Sequence, residues 1–385
     1  MIRLEHRPRP SRVMQWLAPL IALALTLLLG ALMFLLLGVP VGKAFHAFFV
    51  EPVSSQYGLA ELAVKAGPLV MMGVALSLGF RAGVWNIGAE GQFVLGAITG
   101  GSLALLLNEV DNAWLMPLMM LAGVLGGMLW AAIPAFLRTT FNANEILTSL
   151  MLSYVAALFL SYLVSGPLKD PMGFSFPQSA SFHDAAMLAP VLSGTRLTIA
   201  WPLALLVVLV GWVLLSRTLL GFALRVNGEA PRAARYAGFS ESHIIWFALL
   251  FGGGVAGLAG LLEVAGPIGQ LQPNVSPGYG FTAIIVAFLG RLHPVGVLFA
   301  GLVLALFYLG GESAQITMQL PLAVAGVFQG LLLFMLLATD VLIHFRIVSS
   351  RRALEKFRDA AEQQERTVAE HPRAPFTGES GESQS

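Results

Sequence analysis

"MQWLAPLIALALTLLLGALMFLLL", residues 14–37, carries no charged side chain. At about 1.5 Å of rise per residue, a helix of this length outreaches the roughly 30 Å of hydrocarbon in a bilayer. It is about twice as long as a signal-peptide core and has no obvious small-x-small cleavage site. It therefore reads as a retained first span behind the basic "MIRLEHRPRPSR". The rest of the 385-residue chain repeats the theme, with 57% hydrophobic residues, 11% charged residues and a mean hydropathy of +0.78. Such a chain has too little polar side chain to cover a water-facing globule.

Further apolar stretches lie near 60–80, 92–107, 114–136, 145–164, 198–216, 244–264, 295–311 and 322–345. A shorter one, 280–290, falls below the length of an ordinary span and reads as a broken or re-entrant helix, which is tolerated where protein or a cavity shields it. The expected fold is an all-α integral membrane protein of about nine or ten transmembrane segments. Residues 14–345 form its membrane domain, flanked by a short N-terminus, 1–13, and a tail, 346–385. If the N-terminus is cytoplasmic, all but four of the 22 Lys and Arg residues fall on the cytoplasmic side. Lys43, Lys65, Lys169 and Arg196 are the exceptions. That asymmetry places both termini inside. The external segment 165–197, with four prolines, reads as an ordered loop. Beyond Ser349, "RRALEKFRDAAEQQER" has the pattern of a charged surface helix and the last residues that of a disordered tail.

A net charge of +1 gives no basic stripe for nucleic acid. With no cysteine, disulfides, thiolate nucleophiles and Cys-ligated metals are excluded, and the seven histidines show no metal-binding spacing. The nearest approach to a phosphate-binding loop, "GVPVGKA" at 38–44, has the wrong glycine spacing and Ala where Ser or Thr should meet magnesium. No metal or cofactor is expected on this chain.

Four stretches break the apolar pattern. In "GFRAGVWNIGAEGQ", 79–92, a span ends at Arg81 and a helix restarts. Asn86 is a strong N-cap type, and Glu90 falls where a carboxylate meets the positive end of the helix dipole. Two roles compete: Asn86 caps while Glu90 pairs with Arg81, or Asn86, Glu90 and Gln92 line a solute path. In "FNANEILTSLMLSY", Asn144 caps a span beginning at Glu145, and Ser149 follows on the same face, making a polar stripe toward a cavity the competing idea. In "EVAGPIGQLQPNVSPGYG", Glu263, Gln270, Gln272, Asn274 and Tyr279 precede the short helix. Tyr279 stands out because its ring can stack on a planar aromatic group while its hydroxyl stays hydrogen-bonded. Elsewhere, Glu61 and Lys65 are spaced for an i,i+4 pair. Glu312, Asp340 and His344 sit near span ends, and His293 sits in a cytoplasmic loop.

The fourth stretch is the longest cytoplasmic loop, "SRTLLGFALRVNGEAPRAARYAGFSESH", 216–243. Asn227-Gly228 signals a turn, Pro231 suits the first turn of a helix, Gly238 suits its left-handed end and Ser240 the next N-cap. A plain connector needs only a few residues. A short capped helix bearing Arg232 and Arg235 instead points to a docking surface for a cytoplasmic partner.

"LGFALRVNGEAPRAARYAGFS" resembles the coupling-loop signature of permease subunits of ABC importers, in the nucleoside branch of the simple-sugar and branched-chain superfamily. "FRAGVWNIGAEGQFVLGA", "NEILTSLMLSYVA", "SGPLKDP" and "SPGYGFTAIIVAFLGRLHPVG" are similar to further hallmarks of that branch, and the likeness covers roughly 58–340. The resemblance implies that Gly221, Arg225, Glu229, Pro231, Ala233, Ala234, Arg235, Tyr236 and Gly238 seat the loop in a cytoplasmic ATP-binding subunit, which carries the ATP and magnesium. Glu229-Ala230-Pro231 departs from the family pattern and leaves the helix start less well capped. Also implied are a second permease subunit, in a heterodimer, an extracytoplasmic solute-binding protein or lipoprotein, and a bacterial plasma membrane location. The chain itself is then a non-enzymatic transport subunit working by alternating access, with a nucleoside as solute and ribose or another simple sugar as the alternative. The rival from another class is an ion-coupled secondary transporter using Glu90 and Glu145 as proton sites.

Overall fold

The computed structural model describes residues 2–6, 12–108, 112, 114–174, 176–321 and 323–349. In chain order these form β1 (Ile2–His6), α1 (Arg12–Leu36), α2 (Val41–Phe45), α3 (Gln56–Arg81), α4 (Ala89–Leu106), α5 (Leu115–Phe141) and α6 (Glu145–Ser165). There follow α7 (Ala200–Arg217), α8 (Leu219–Glu229), α9 (Pro231–Tyr236), α10 (Glu241–Glu263), α11 (Tyr279–Leu289), α12 (Pro294–Met318), α13 (Ala323–His344) and β2 (Phe345–Ser349). Among the described residues, 8 helices are long and apolar enough to cross a membrane, and 11-residue α11 and the 323–339 part of α13 are shorter apolar helices. The expected all-α membrane architecture is therefore the one observed. The departure from it is a two-stranded antiparallel ribbon of β1 with β2, in register from Ile2 opposite Ser349 to His6 opposite Phe345.

The chain divides into two compact units. The smaller comprises residues 1–25 and 334–385. Within it β1 pairs with β2, and the Thr339 hydroxyl donates to the Ala18 carbonyl at 3.2 Å. The expectations for the side chains of Asp340 and His344, and for 350–385, lie outside the described residues.

The larger unit, 26–333, is organised around three helices that pack backbone to backbone. A Cβ at Gly96 of α4 would overlap the backbone of Gly257 in α10, and one at Gly257 would overlap Gly123 of α5. Without a hydrophobic drive between helices in lipid, such small-residue seams supply the contact area for association. Of these three, α4 and α10 bury 67% of their span windows and α5 33%; α3 buries 78%, while α6 and α7 bury only 22%. The latter turn Leu158, Leu206 and Leu209 outward, as lipid-facing helices do. A second core is aromatic. Phe34, Phe48, Phe49, Phe307 and Phe328 meet with ring centroids 5.0 to 6.4 Å apart.

The described residues of the segment 165–197 form a packed loop, as expected. Its backbone bonds to the 265–271 stretch through Ser179 to Leu271, Phe182 to Gly269 and Leu188 to Ala265. One local expectation fails at Asn227-Gly228. These residues do not turn but lie inside α8. Buried Asn227 donates to the Ala82 carbonyl at 2.9 Å, and Gly228 lies so close to the Arg81 carbonyl that a Cβ would overlap it. Tertiary packing has overridden a local turn signal here.

Candidate functional site

The candidate site begins where α3 and α4 fail to join. After Arg81 the chain turns through Gly83, at φ +75°, and residues 84–87 run without helical hydrogen bonds before α4 starts at Ala89. Two independent rulers place this restart deep in the bundle. Asn86 Nδ2 lies against Gly252, eleven residues into α10 and so about 16 Å along its axis. Gly280, at the start of the half-helix α11, packs on the Ala89–Glu90 backbone, where a Cβ would overlap it. Two interrupted helices thus bring their N-termini together.

Amides freed by a broken helix in a membrane must find partners within the protein. The Ile87 amide donates to Ser149 Oγ at 3.2 Å, the Gly91 amide to Ser153 Oγ at 3.3 Å, and the Gly88 amide to Asn86 Oδ1 at 3.0 Å. Asn86 and Gln92, both buried, also exchange two side-chain hydrogen bonds at 2.8 and 3.1 Å. Asn86 therefore serves the restart from two residues outside it. The N-cap position itself is Gly88, a correction to the expected assignment. Ser149 and Ser153 on α6 face this backbone.

Glu90 does not pair with Arg81. Its Oε2 accepts from the Gly280 amide at 2.6 Å. A carboxyl group is thereby set at the positive end of α11. Arg81 instead donates from Nε to the Leu292 carbonyl at 2.9 Å. Phe80, Trp85 and Phe288 stack beside it with centroids 5.0 to 5.9 Å apart. The two arginine-and-glycine turns, "FRAGVWN" and "LGRLHPVG", thus touch. Burial and then the Arg81 charge hold the His293 imidazole below its ordinary pKa.

Tyr279 is 1% exposed, edge-on to Phe93 and to Tyr308 at 6.1 and 5.5 Å. Its ring is closed to a stacking ligand in this conformation. Asn144 accepts from the Ile146 and Leu147 amides as the expected N-cap of α6, and Glu145 pairs with Arg138 at 3.2 Å. Gln270 is elsewhere, bonded to Gln178 at 3.3 Å in the loop layer. Near it, the i,i+4 pairing of Glu61 with Lys65 is replaced by longer-range partners. Arg196 Nε donates to Glu61 at 2.9 Å, raising the guanidinium above its usual pKa, and Lys65 meets Glu312 at 2.7 Å. A small cleft of about 20 Å³ beside them is lined by Gly67, Met71, Trp201 and Glu263.

Sequence reasoning missed a polar cluster that faces the same α11 terminus. Thr282 Oγ1 lies 2.8 Å from Tyr308 Oη and 3.3 Å from Gln329 Oε1, and Tyr308 reaches the Pro277 carbonyl at 3.4 Å. The available signal was Gln329 standing alone in "AVAGVFQGLLLFMLLA".

At the arginine-rich end, α9 is bounded as expected, with Pro231 at its first turn, Gly238 at φ +85° after it and Ser240 capping α10. Ala230 offers α9 no side-chain cap. Ala234 is buried, whereas Arg225, Glu229, Ala233, Arg235 and Tyr236 are exposed, Tyr236 at 94%. Arg235 pairs with Glu241. Gly221 sits tight against the end of α7, where a Cβ would overlap Leu214. Exposed Leu219 and Phe222 complete an apolar and cationic surface. That surface is fastened inward. Asn227 holds Ala82, Arg225 and Glu229 lie near enough to Arg81 to act on its charge, and Arg81 holds Leu292. Among the described residues, no group of His, Asp and Glu is placed to hold a metal.

A family model described as the permease component of the branched-chain amino acid transport system matches residues 58–337. The chain is 38% identical over 359 residues to the glucose ABC transporter permease protein of Haloferax volcanii, a match covering 90% of this chain and 94% of that one. It is 30% identical to the guanosine ABC transporter permease protein of Bacillus subtilis, with coverage of 81% and 90%. A nucleoside ABC transporter permease protein of Lactococcus lactis is 26% identical, over 77% of this chain and 84% of its own.

Proposed function

This chain belongs to the permease-component family of branched-chain amino acid transport systems and is a multi-pass ABC permease subunit, and on that premise we propose that it imports a neutral, sugar-bearing solute by alternating access. The observation that carries the reading is mechanical continuity from the exposed surface to the broken helices. A load applied to α9 and α8 reaches the α3–α4 turn through Asn227 and Gly228, then the α11–α12 turn through Arg81 and Leu292. In this mechanism a cytoplasmic ATP-binding subunit, which carries the ATP and magnesium, grips α9 from the arginine-rich side. Its nucleotide cycle tilts the bundle around the junction of α4 and α11 and moves the opening from one face to the other. A second permease subunit completes the pathway, and an extracytoplasmic binding protein or lipoprotein delivers the solute across a bacterial plasma membrane. This chain performs no catalysis of its own.

We place a nucleoside first among solutes, on the motif resemblance and the guanosine and nucleoside permease relatives. Glucose is the second reading, favoured by the 38% identical relative. The ion-coupled alternative fits less well, because Glu90 and Glu145 are both engaged, one by the Gly280 amide and the other by Arg138. The test is uptake of labelled guanosine and labelled glucose by the reconstituted complex, each in competition with the other. ATP-dependent uptake of guanosine resisted by excess glucose supports the first reading, and the converse transfers the assignment to glucose. Uptake abolished by a protonophore and indifferent to ATP depletion overturns the ABC mechanism.

A further inference from the structure

Gln329 is an anomaly in its helix. It lies on α13 with only 9% of its surface exposed, its Oε1 faces the Thr282 hydroxyl, and its Nε2 has no hydrogen-bond partner. The side chain is not misplaced by a loose helix. Its neighbour Phe328 is fully buried among Phe34, Phe48 and Phe307, which fixes the rotation of α13 and turns position 329 toward α11 and α12. With the amide oxygen on the Thr282 hydroxyl, the nitrogen end stays open, with the Tyr308 side chain beside the amide. A buried polar group left open in a chain that otherwise partners its freed backbone calls for a specific explanation.

The placement supplies one. Thr282 and Tyr308, which flank Gln329, stand at the α11 terminus that Glu90 holds, where the interrupted helices α4 and α11 meet. We propose that Gln329, with Thr282 and Tyr308, is a contact station for the hydroxyl groups of the transported solute, its open amide end bonding the solute as it passes α11. A hydroxyl is the fitting class of ligand because it both donates and accepts, and so matches the amide in either orientation. This deepens the transport reading above and rests on it.

The chain contains no cysteine, so Gln329→Cys gives a single labelling site in this subunit of the assembled complex. A small hydrophilic thiol reagent is expected to modify it about tenfold faster than Leu304→Cys, a fully buried control on α12, in at least one nucleotide state, because even a minor open conformer exposes a pathway residue. Labelling at the control rate in every state overturns the proposal. In a complex that transports guanosine or glucose, the transported solute is expected to slow the labelling. Failure to do so overturns the contact, while the solute that protects identifies whose hydroxyls are read. Gln329→Leu removes the open amide without adding one, so it should assemble normally, melt no lower than wild type and lose about tenfold in uptake. Unchanged uptake and KM overturn the proposal. Wild-type complex that takes up neither solute counts against the substrate assignment alone, and the labelling rate then decides the role of Gln329.

Discussion

Replacing Glu90 separates two contributions that the structure assigns to one carboxylate. Its Oε2 accepts from the Gly280 amide at 2.6 Å, on the first turn of α11. Glu90→Gln keeps an acceptor for the amide and removes the charge, which at a partly buried helix terminus costs about 1 to 2 kcal/mol. Glu90→Ala removes the acceptor as well, and a hydrogen bond to a charged group contributes about 1.5 to 3 kcal/mol. Since about 1.4 kcal/mol is a factor of ten, the glutamine variant should shift the balance between this conformer and its alternatives by about five- to thirtyfold, and alanine by more. The assays are thermal melting of the purified complex and ATP-driven uptake, with basal ATPase as the control for assembly. The expected order in both is glutamate, then glutamine, then alanine. An alanine variant that melts and transports like wild type refutes the assignment of Glu90 to the α11 terminus. A glutamine variant that abolishes uptake while its melting is unchanged would point instead to proton coupling.

The double variant Arg235→Ala with Tyr236→Ala should assemble and insert normally yet lose solute-stimulated ATPase and uptake together; unaltered uptake tells against α9 as the coupling element. Asn227→Leu leaves the Ala82 carbonyl unpaired at about 1 to 3 kcal/mol, and the expected result is retained ATPase with reduced uptake, because the link from α8 to the α3–α4 turn is the part removed. Gly96→Ala places a Cβ where the Gly257 backbone now lies, so α4 and α10 must separate. An overpacking penalty of about 1 to 3 kcal/mol should show as a lower melting temperature, and a variant as stable as wild type would mean that the seam is not close-packed.

Most of the fold was legible because its signals are local. Apolar runs long enough to cross a bilayer and caps such as Asn144 and Ser240 depend on nearby residues, and all reappear in the structure. The short stretch 280–290 announced α11 by its length alone. The partners of the charged groups were not legible. Spacing gave Glu61 to Lys65 and proximity gave Glu90 to Arg81, whereas the real partners stand 135 and 190 residues away, because tertiary contacts in a bundle are set by which helices adjoin. Asn227-Gly228 misled for a related reason. Two turn-forming residues were recruited into a helix because a small residue and an amide are what the neighbouring carbonyls of Arg81 and Ala82 accommodate. Gln329 was missed because a lone amide in an apolar run says nothing of its partners, and Thr282 and Tyr308 come from distant helices.

The central claim is that α9 is gripped by an ATP-driven partner on the arginine-rich face. Tyr236 is 94% exposed and the chain has no cysteine to compete with Tyr236→Cys. A short thiol-specific cross-linker applied to complex assembled in native membrane should join this residue to the ATP-binding subunit, with a yield that changes between the ATP-bound and nucleotide-free states. A residue that cross-links to no subunit, or that in intact cells reacts with a membrane-impermeant thiol reagent applied from outside, contradicts the account.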